Sequence, residues 1–308
     1  MIDPWPIYKG ILAEHGVDIH AIEPLAGDVS SRRYARIWLT DDTSAVLAIY
    51  PTEILDAQRR FLTTTSWLAD IGVRVPAVRA YSKGWMVVED LGPSTLAEHA
   101  MRTATDWSLL APYYRDALRQ IDRFETLPHE RVARLNPPLD EALLRRELEI
   151  TWKTFFVPRQ LTGDATTQDR LRASFDDLCR TLGERSPVVC HRDLTVRNLV
   201  PLPSHQVGIL DHQDLRLGPP LYDLASLLND TLFAPPSEIA DDLPVAHEDF
   251  ARVAAQRTLK AVGTYARSGR HANLIEPTFT RAIDFLLRVP ETTDVAARLE
   301  TRWRQALC

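Results

Sequence analysis

The sequence has few cysteines, and their positions suit neither a disulfide framework nor a metal site. Its 308 residues include three, Cys179, Cys190 and Cys308, and their spacing matches none of the usual cross-linking or metal-ligand patterns. This argues against a disulfide-stabilised extracellular fold and favours reduced thiols in a reducing compartment. We therefore predict a cytoplasmic location.

Long apolar runs, a targeting pattern and excess positive charge are also missing. No stretch approaches the roughly 20 apolar residues that span a bilayer. Residues 1–5 lack the basic and apolar regions of a secretory signal. The net charge is −6, whereas a general nucleic-acid-binding surface is normally basic. The sequence thus predicts neither a membrane nor a nucleic-acid partner, and it leaves the oligomeric state open.

What is present is ordinary globular composition and a clear change in pattern along the chain. Residues 34–39 and 45–50 predict paired strands, 52–71 a helix, and 78–81 with 85–89 a second strand pair. The punctuating run from Leu91 to Ser94 is the best domain boundary. Beyond it the sequence predicts mainly helices, one of them with Asp140 as N-cap; they cover 107–124, 141–155, 166–182, 222–228, 248–266 and 276–287.

One motif carries most of the chemical information. Residues 191–198 read His-Arg-Asp-Leu-Thr-Val-Arg-Asn, and Asp211 follows thirteen residues after Asn198, directly behind an apolar run. His-x-Asp-x-x-x-x-Asn is the catalytic-loop spacing of protein-kinase-like enzymes, in which a later strand-borne Asp is the second metal ligand. A hairpin over residues 199–209 would bring Asn198 and Asp211 to the same end of two paired strands.

Phosphoryl transfer explains why these residue types occur at these distances. A carboxylate must accept the proton of the attacking hydroxyl, and Asp193 is predicted to be this catalytic base. An amide oxygen and a second carboxylate must hold Mg²⁺, a hard cation, against the ATP phosphates, and Asn198 and Asp211 are predicted to do so. A loop that is merely rich in turn-forming residues is the simpler alternative. The β-prone runs at 188–190 and 199–200 argue against it.

Several segments resemble the aminoglycoside phosphotransferase and choline kinase superfamily. They are residues 191–198, residues 209–211 with 218–225, and the run 86–92, which looks like a hinge between lobes. Residues 25–34, 211–214 and 256–263 are most similar to the bacterial anomeric N-acetylmuramate and N-acetylglucosamine kinases of cell-wall recycling. The resemblance implies an α+β, bilobal protein-kinase-like fold. The chain would then consist of a small sheet-rich nucleotide-binding lobe (1–91, hinge 87–92) and a larger, mostly helical lobe (92–308). The larger lobe would carry the catalytic loop 191–198 and the metal-binding strand end 209–214.

The same resemblance implies an activity and a set of site residues. The expected activity is ATP-dependent transfer of a phosphate to a small-molecule hydroxyl, most specifically the anomeric C1 hydroxyl of an amino sugar. His191 and Asp223 are expected to support the loop structurally. The expected nucleotide contacts are Ser30, Ser31, Arg33, Glu89 and Leu91, and the expected acceptor contacts are Arg197, Gln213, Asp214 and Arg257.

The sequence departs from ordinary kinases in two ways. Residues 46–50, which stand where protein kinases carry a phosphate-binding lysine on their third strand, contain no lysine. A Gly-x-Gly-x-x-Gly loop is also missing. Because a guanidinium can chelate phosphate oxygens, Arg33 or Arg36 is the candidate replacement, unless both are ordinary surface charges.

Two alternative functions stay open from the sequence. An aminoglycoside phosphotransferase binds a polycation and needs an acidic acceptor cleft. A nucleotide-binding pseudokinase scaffold would explain the missing lysine, although it would not need a base and two metal ligands together. The acidic residues that could line a polycation cleft are Glu147, Glu149, Asp214, Asp230, Asp241 and Asp242.

Overall fold

A computed structural model of the chain describes residues 5–25, 31–229, 239, 243, 247–269 and 271–307. The chain forms two compact units. The first unit comprises Met1–His99 together with Arg197–Asp214, and the second unit comprises Ala100–Val196 together with Leu215–Cys308. No helix among the described residues is both long enough and apolar enough to cross a bilayer.

The first unit is built on a five-stranded antiparallel sheet with the strand order β1-β2-β3-β5-β4. Its residue ranges are β1 (Ile19–Leu25), β2 (Arg33–Leu39), β3 (Ser44–Ile49), β4 (Val78–Ser82) and β5 (Trp85–Glu89). Helix α1 (Trp5–Glu14) precedes the sheet, α2 (Leu55–Asp70) connects β3 to β4, and the short hairpin β7 (Leu199–Pro201) and β8 (Val207–Ile209) completes the unit.

Alternation along the central strands separates the two faces of this sheet. Side chains on a strand point alternately to opposite faces. On β2, Ala35 and Ile37 are fully buried in one apolar cluster with Leu47 of β3. On the opposite face, Tyr34 packs with Ala48 in a second cluster that includes Phe61 and Met86. The sheet is therefore packed on both faces.

The second unit is mostly helical. Asp140 caps a helix there, since its side chain accepts a hydrogen bond from the Leu143 N–H. The helices are α3 (Leu96–Arg102, which begins in the first unit), α4 (Trp107–Phe124), α5 (His129–Leu135), α6 (Glu141–Thr151), α7 (Ala165–Gly183), α8 (Tyr222–Leu228), α9 (Glu248–Ser268), α10 (Ala272–Leu286) and α11 (Thr293–Leu307). Strands β6 (Val188–Cys190) and β9 (Arg216–Gly218) form a two-stranded antiparallel pair.

The predicted strands and long helices are observed, with two informative differences. The helix predicted over 141–155 ends as an α-helix at Thr151 and continues as a π-helix, Trp152–Phe156. Elements not predicted from the sequence are α1, β1, α3, α5, β9 and α11. Of these, β9 has only three residues and α3 and α5 only seven each. Such lengths are too short to establish a period in the sequence.

The two units do not coincide with the predicted domains, which divide the chain at residues 91 and 92. Residues 197–214 were predicted to lie in the second domain, but they pack with the first unit. The Ile209 N–H donates to the Arg74 carbonyl at 2.7 Å, and His212 stacks on Phe61 of α2 with 4.3 Å between ring centroids. The assignment of residues 87–92 as an interlobe hinge stays a prediction.

Candidate active site

The loop that carries Asp193 is anchored from the start of α8. The backbone N–H groups of His191 and Arg192 donate to the two carboxylate oxygens of Asp223 at 2.5 and 2.8 Å. The Asp193 N–H donates to His191 Nδ1 at 3.3 Å. Burial raises the pKa of Asp223, and His191 opposes this shift. His191 and Asp223 therefore have the contacts that their predicted supporting role requires.

The Asp193 carboxylate is surrounded by cations of the second unit. Lys260 Nζ lies 3.1 Å from Asp193 Oδ1, and 44% of the Asp193 side chain is exposed. Partial burial by itself would raise the pKa of Asp193, but the charges of Lys260, Arg192 and Arg257 outweigh it and hold that pKa well below the usual range. Asp193 is thus ionised at neutral pH.

A buried polar network lies behind this loop. Glu147, which is buried, accepts hydrogen bonds from Arg192 Nη2 and from Gln256 Nε2, the latter at 3.1 Å. Arg257 is also buried, and its Nε donates to Ser226 Oγ. The guanidinium of Arg257, predicted to contact the acceptor, is therefore engaged with α8 in a network that supports the catalytic loop.

The two predicted metal ligands lie at the same end of the β7–β8 hairpin in the first unit. The ladder pairs Leu199 with Ile209, and the Leu210 N–H donates to the Asn198 carbonyl at 2.8 Å. Asp211 adopts a left-handed backbone conformation (φ 58°) directly after the strand. This is the juxtaposition that the spacing in the sequence requires.

The Asp211 carboxylate accepts hydrogen bonds from two side chains, both at Oδ1. Arg32 Nη2 donates at 2.6 Å and Gln213 Nε2 at 2.9 Å, while about a third of the Asp211 side chain is exposed (34%). A carboxylate and an amide oxygen suit Mg²⁺, which binds proteins through one or two such ligands and completes its shell with phosphates and water. The donor set of Asn198 and Asp211 thus fits the predicted metal.

The predicted hinge is held by two ion pairs within the first unit. Glu89 pairs with Arg74 at 2.6 Å, and Asp90 pairs with Arg36 at 2.6 Å and accepts from the Gly92 N–H at 3.1 Å. The Leu91 side chain packs so closely over Gly208 of β8 that a Cβ there would meet it. Arg36 is therefore paired with Asp90 at the predicted hinge, and its candidacy as the phosphate-binding cation stays a prediction.

The other predicted nucleotide contacts are less fully described. Ser30 lies outside the described residues, and Ser31 is exposed. Arg33 is exposed at the start of β2, where the ladder pairs it with Ile49. Its parity on the strand is that of Ala35, so it does not share a face with Tyr34. Arg33 therefore does not lie on the side of the strand that faces Asp211. Arg32 contacts Asp211 instead.

The remaining predicted acceptor contacts differ in their surroundings. Arg197 is partly buried in the 3₁₀ turn Val196–Asn198. Gln213 is buried and bonded to Asp211, whereas Asp214 is partly exposed and lies 4.0 Å from Arg60. The structure therefore separates a buried Gln213 from two residues with some solvent access.

The acidic residues that would mark a polycation cleft are largely paired with cations. Glu147 and Asp214 contact Arg192 and Arg60 respectively. Glu149 lies 3.0 Å from Arg172 and 3.2 Å from Lys153. Asp230, Asp241 and Asp242 lie outside the described residues. The described carboxylates therefore do not form an uncompensated acidic surface.

Two residues of the site were missed or misassigned by sequence reasoning. Arg32 lies beside Asp211 and Lys260 beside Asp193, and the sequence predicts neither contact. Parity along β2 groups both Arg32 and Arg36 with Tyr34, which packs with Ala48, so it does not distinguish the two arginines. No local pattern indicates that Lys260 reaches Asp193, since 67 residues separate them along the chain.

Comparison with known proteins gives consistent results for family and fold. The chain matches the model of the phosphotransferase enzyme family over residues 21–261. It is 31% identical over 269 residues to the N-acetylmuramate/N-acetylglucosamine kinase of Pseudomonas aeruginosa, covering 79% of this chain and 75% of that protein. It is 28% identical over 291 residues to the protein of the same name from Neisseria meningitidis, covering 86% and 84%.

Similar solved structures include the ADP-bound aminoglycoside phosphotransferase APH(2'')-Ib, with a TM-score of 0.61 at 13% identity, covering 94% of this chain and 98% of that one. The ethanolamine kinase of Plasmodium vivax gives a TM-score of 0.60 at 13% identity, covering 94% and 89%. At such identities the likeness concerns the fold alone. It confirms the predicted α+β, protein-kinase-like fold.

Proposed function

Because the chain belongs to the phosphotransferase enzyme family, we propose that it is an ATP-dependent kinase of amino sugars. The proposed reaction transfers the γ-phosphate to the anomeric C1 hydroxyl of N-acetylmuramate or N-acetylglucosamine. The observation that carries phosphoryl transfer is the anchored, ionised Asp193 in the catalytic-loop motif, followed by Asn198 and Asp211 at one end of a hairpin. The names of the relatives from Pseudomonas aeruginosa and Neisseria meningitidis support the sugar acceptor.

Asp193 is the proposed catalytic base. Its carboxylate is ionised and partly exposed, so it can accept a hydrogen bond from the acceptor hydroxyl and take the proton as the oxygen attacks phosphorus. A carboxylate with a low pKa is a weak base, but phosphoryl transfer depends mainly on positioning and charge stabilisation. The hydrogen bonds from the loop to Asp223 supply that positioning.

Asn198 and Asp211 would hold Mg²⁺ through their side-chain oxygens. When bound, the ion would neutralise charge on the triphosphate and align its terminal phosphate. The backbone near Glu89 and Leu91 is the proposed contact for adenine, and the Arg36–Asp90 pair would keep this segment in place. Ser30, Ser31 and Arg33 remain proposed contacts of the nucleotide loop.

The acceptor contacts are proposed to divide into direct and indirect ones. Arg197 and Asp214, both partly accessible to solvent, are proposed to contact the sugar. Gln213 and Arg257 are buried and bonded to Asp211 and Ser226, so they are proposed to act by orienting these neighbours.

A coupled assay of ADP release across a panel of amino sugars and aminoglycosides tests the proposal. We expect turnover with N-acetylmuramate or N-acetylglucosamine, and phosphorus NMR of the product should show a phosphate on C1. A phosphate on another hydroxyl would refute the anomeric assignment alone. Turnover with aminoglycosides and not with sugars would favour the resistance enzyme. Nucleotide binding without turnover on any compound would favour the pseudokinase.

A further inference from the structure

We propose that Arg32 is the phosphate-binding cation of this protein and takes the role for which protein kinases use a lysine on the third strand. This inference rests on the proposed function, because the ligand it concerns is the triphosphate of the ATP substrate. It differs from the two arginines that the sequence favours, because Arg32 is bound to a predicted metal ligand, Asp211. Arg36 is bound instead to Asp90, and Arg33 is exposed at the strand end.

The position of the missing lysine is occupied by a tyrosine. In protein kinases the lysine follows a Val-Ala-Ile run on the third strand, and here Leu47, Ala48 and Ile49 are followed by Tyr50. Tyr50 is buried, and its hydroxyl lies 3.9 Å from Met86 Sδ. Tyr50 therefore supplies no positive charge for the phosphates at this position.

Arg32 reaches this place from the neighbouring strand. The β2–β3 ladder pairs Arg33 with Ile49 and Tyr34 with Ala48. Continued by one residue, this register sets Arg32 opposite Tyr50, at the distance of cross-strand neighbours. Burial raises the pKa of Tyr34 and of Tyr50, and the charge of Arg32 opposes the shift in both. The register therefore places Arg32 next to both tyrosines.

The charge of Arg32 is permanent and is held next to the predicted metal ligand. Only 11% of its side chain is exposed, and Nη2 lies 2.6 Å from Asp211 Oδ1. Its Cζ is 5.7 Å from the centre of the Tyr34 ring. A fixed cation thus sits beside the carboxylate at which the metal and the triphosphate would meet.

The chemistry of a guanidinium suits this shared position. Its five N–H donors form a planar fork, so one edge can bond a carboxylate while another meets phosphate oxygens bidentately. An ammonium at the end of a lysine acts instead as a point charge. We therefore expect Arg32 to direct part of this fork at the triphosphate, so its loss should affect ATP more than adenosine.

The test compares the binding of MgATP and of adenosine to the full chain by titration calorimetry, without any acceptor. We expect Arg32→Met to weaken MgATP binding on the order of 10- to 100-fold, the effect of losing one or two charge-assisted hydrogen bonds, while adenosine affinity stays within about twofold. Arg32→Lys should recover part of the loss, because it restores the charge without the fork.

The matched control is Arg36→Met, which removes a partly buried arginine of β2 that is paired with an aspartate, Asp90, at the same 2.6 Å. Because Arg36 supports the hinge, its loss should weaken MgATP and adenosine by similar factors. Unchanged MgATP affinity in Arg32→Met would overturn the inference, as would equal losses for both ligands or the same selectivity in Arg36→Met. If the wild-type chain binds no adenosine nucleotide, that result would overturn the proposed function instead.

Discussion

Asp193 combines a negative charge with three nearby cations, and this combination sets what its substitution should do. Asp193→Asn keeps the size of the side chain but cannot accept the proton of the acceptor hydroxyl. We expect kcat to fall by about 10²- to 10⁴-fold, the usual contribution of a general base, with nearly unchanged affinity for MgATP. Steady-state kinetics and calorimetry measure the two quantities. Substantial activity in this variant would remove Asp193 from its role.

The pair between Lys260 and Asp193 predicts a change in pH dependence. Asp193 must be ionised to act as a base, and Lys260 is the main charge that holds its pKa down. In Lys260→Met that pKa rises, so the fraction of ionised Asp193 at acid pH falls. We expect the acid limb of the kcat/KM profile to move to higher pH.

Lys153→Met is the matched control for Lys260. Lys153 is also paired with a carboxylate, Glu149 at 3.2 Å, but 70% of its side chain is exposed. The acid limb of the kcat/KM profile of Lys153→Met should coincide with that of the wild type. If the profile of Lys260→Met also coincides with the wild type, then Lys260 does not tune Asp193.

Asp211 is expected to make nucleotide binding depend on Mg²⁺. Asp211→Asn keeps an oxygen that can accept from Arg32 but loses the charge that binds the cation. We expect its ATP affinity to be the same with and without Mg²⁺ in calorimetric titrations, whereas the wild type binds more tightly with the ion. A variant that retains the wild-type response to Mg²⁺ would exclude Asp211 as a ligand.

At the scale of elements, the crossing of α6 and α9 depends on a glycine. A Cβ on Gly263 would lie 2.8 Å from Thr151 Cα and against Thr151 Oγ1, so the backbone of α6 would have to move. Thr151 Oγ1 also donates to the Leu259 carbonyl at 2.9 Å, which locks the two helices together. Gly263 therefore permits the close approach of α6 and α9, the helix that carries Lys260 and Gln256.

Gly263→Ala should destabilise the protein despite the better helix propensity of alanine. We expect the free energy of unfolding to fall by about 1–3 kcal/mol, as for other overpacked positions, measured by denaturant titration. Gly10→Ala is the control, because Gly10 lies in α1 with no atom within 4 Å of the added Cβ. That variant should be neutral or slightly stabilised. A neutral Gly263→Ala would show that the helix pair tolerates separation.

At the scale of the whole molecule, two separate segments of the chain form the first unit. Residues 1–99 build the sheet, but Arg197–Asp214 belongs to the same unit. His212 lies fully buried against α2, with Nδ1 2.7 Å from Thr64 Oγ1. A fragment that ends at residue 99 would leave this part of α2 without its apolar and polar partners.

We therefore expect residues 1–99 alone to lack a cooperative unfolding transition. The same fragment joined by a flexible linker to residues 197–214 should regain one, because the β7–β8 hairpin and His212 restore the missing contacts. Circular dichroism during thermal unfolding compares the two. A cooperative transition in the shorter fragment would show that the hairpin is dispensable for the unit.

Local patterns were sufficient to predict much of the fold. The β-prone runs at 34–39 and 45–50 and the helical periodicity of 107–124 correspond closely to observed elements, because buried strands and the buried face of a helix leave such patterns in the sequence. Asp140 was recognised as an N-cap since the capping side chain lies beside the helix it begins. Short elements such as β9 lack enough residues to show a period.

The sequence by itself determined the catalytic-loop motif, its following hairpin and most of the longer strands and helices, because each depends on residues close together along the chain. Only the tertiary structure decided that Arg32 lies on Asp211, 179 residues away, and that Lys260 lies on Asp193, 67 residues away. An arginine or lysine pairs with whichever carboxylate the packing brings near, and no local pattern in the sequence predicts which carboxylate that is. The chemistry of the site is thus local in sequence, whereas its electrostatic environment is a product of the fold.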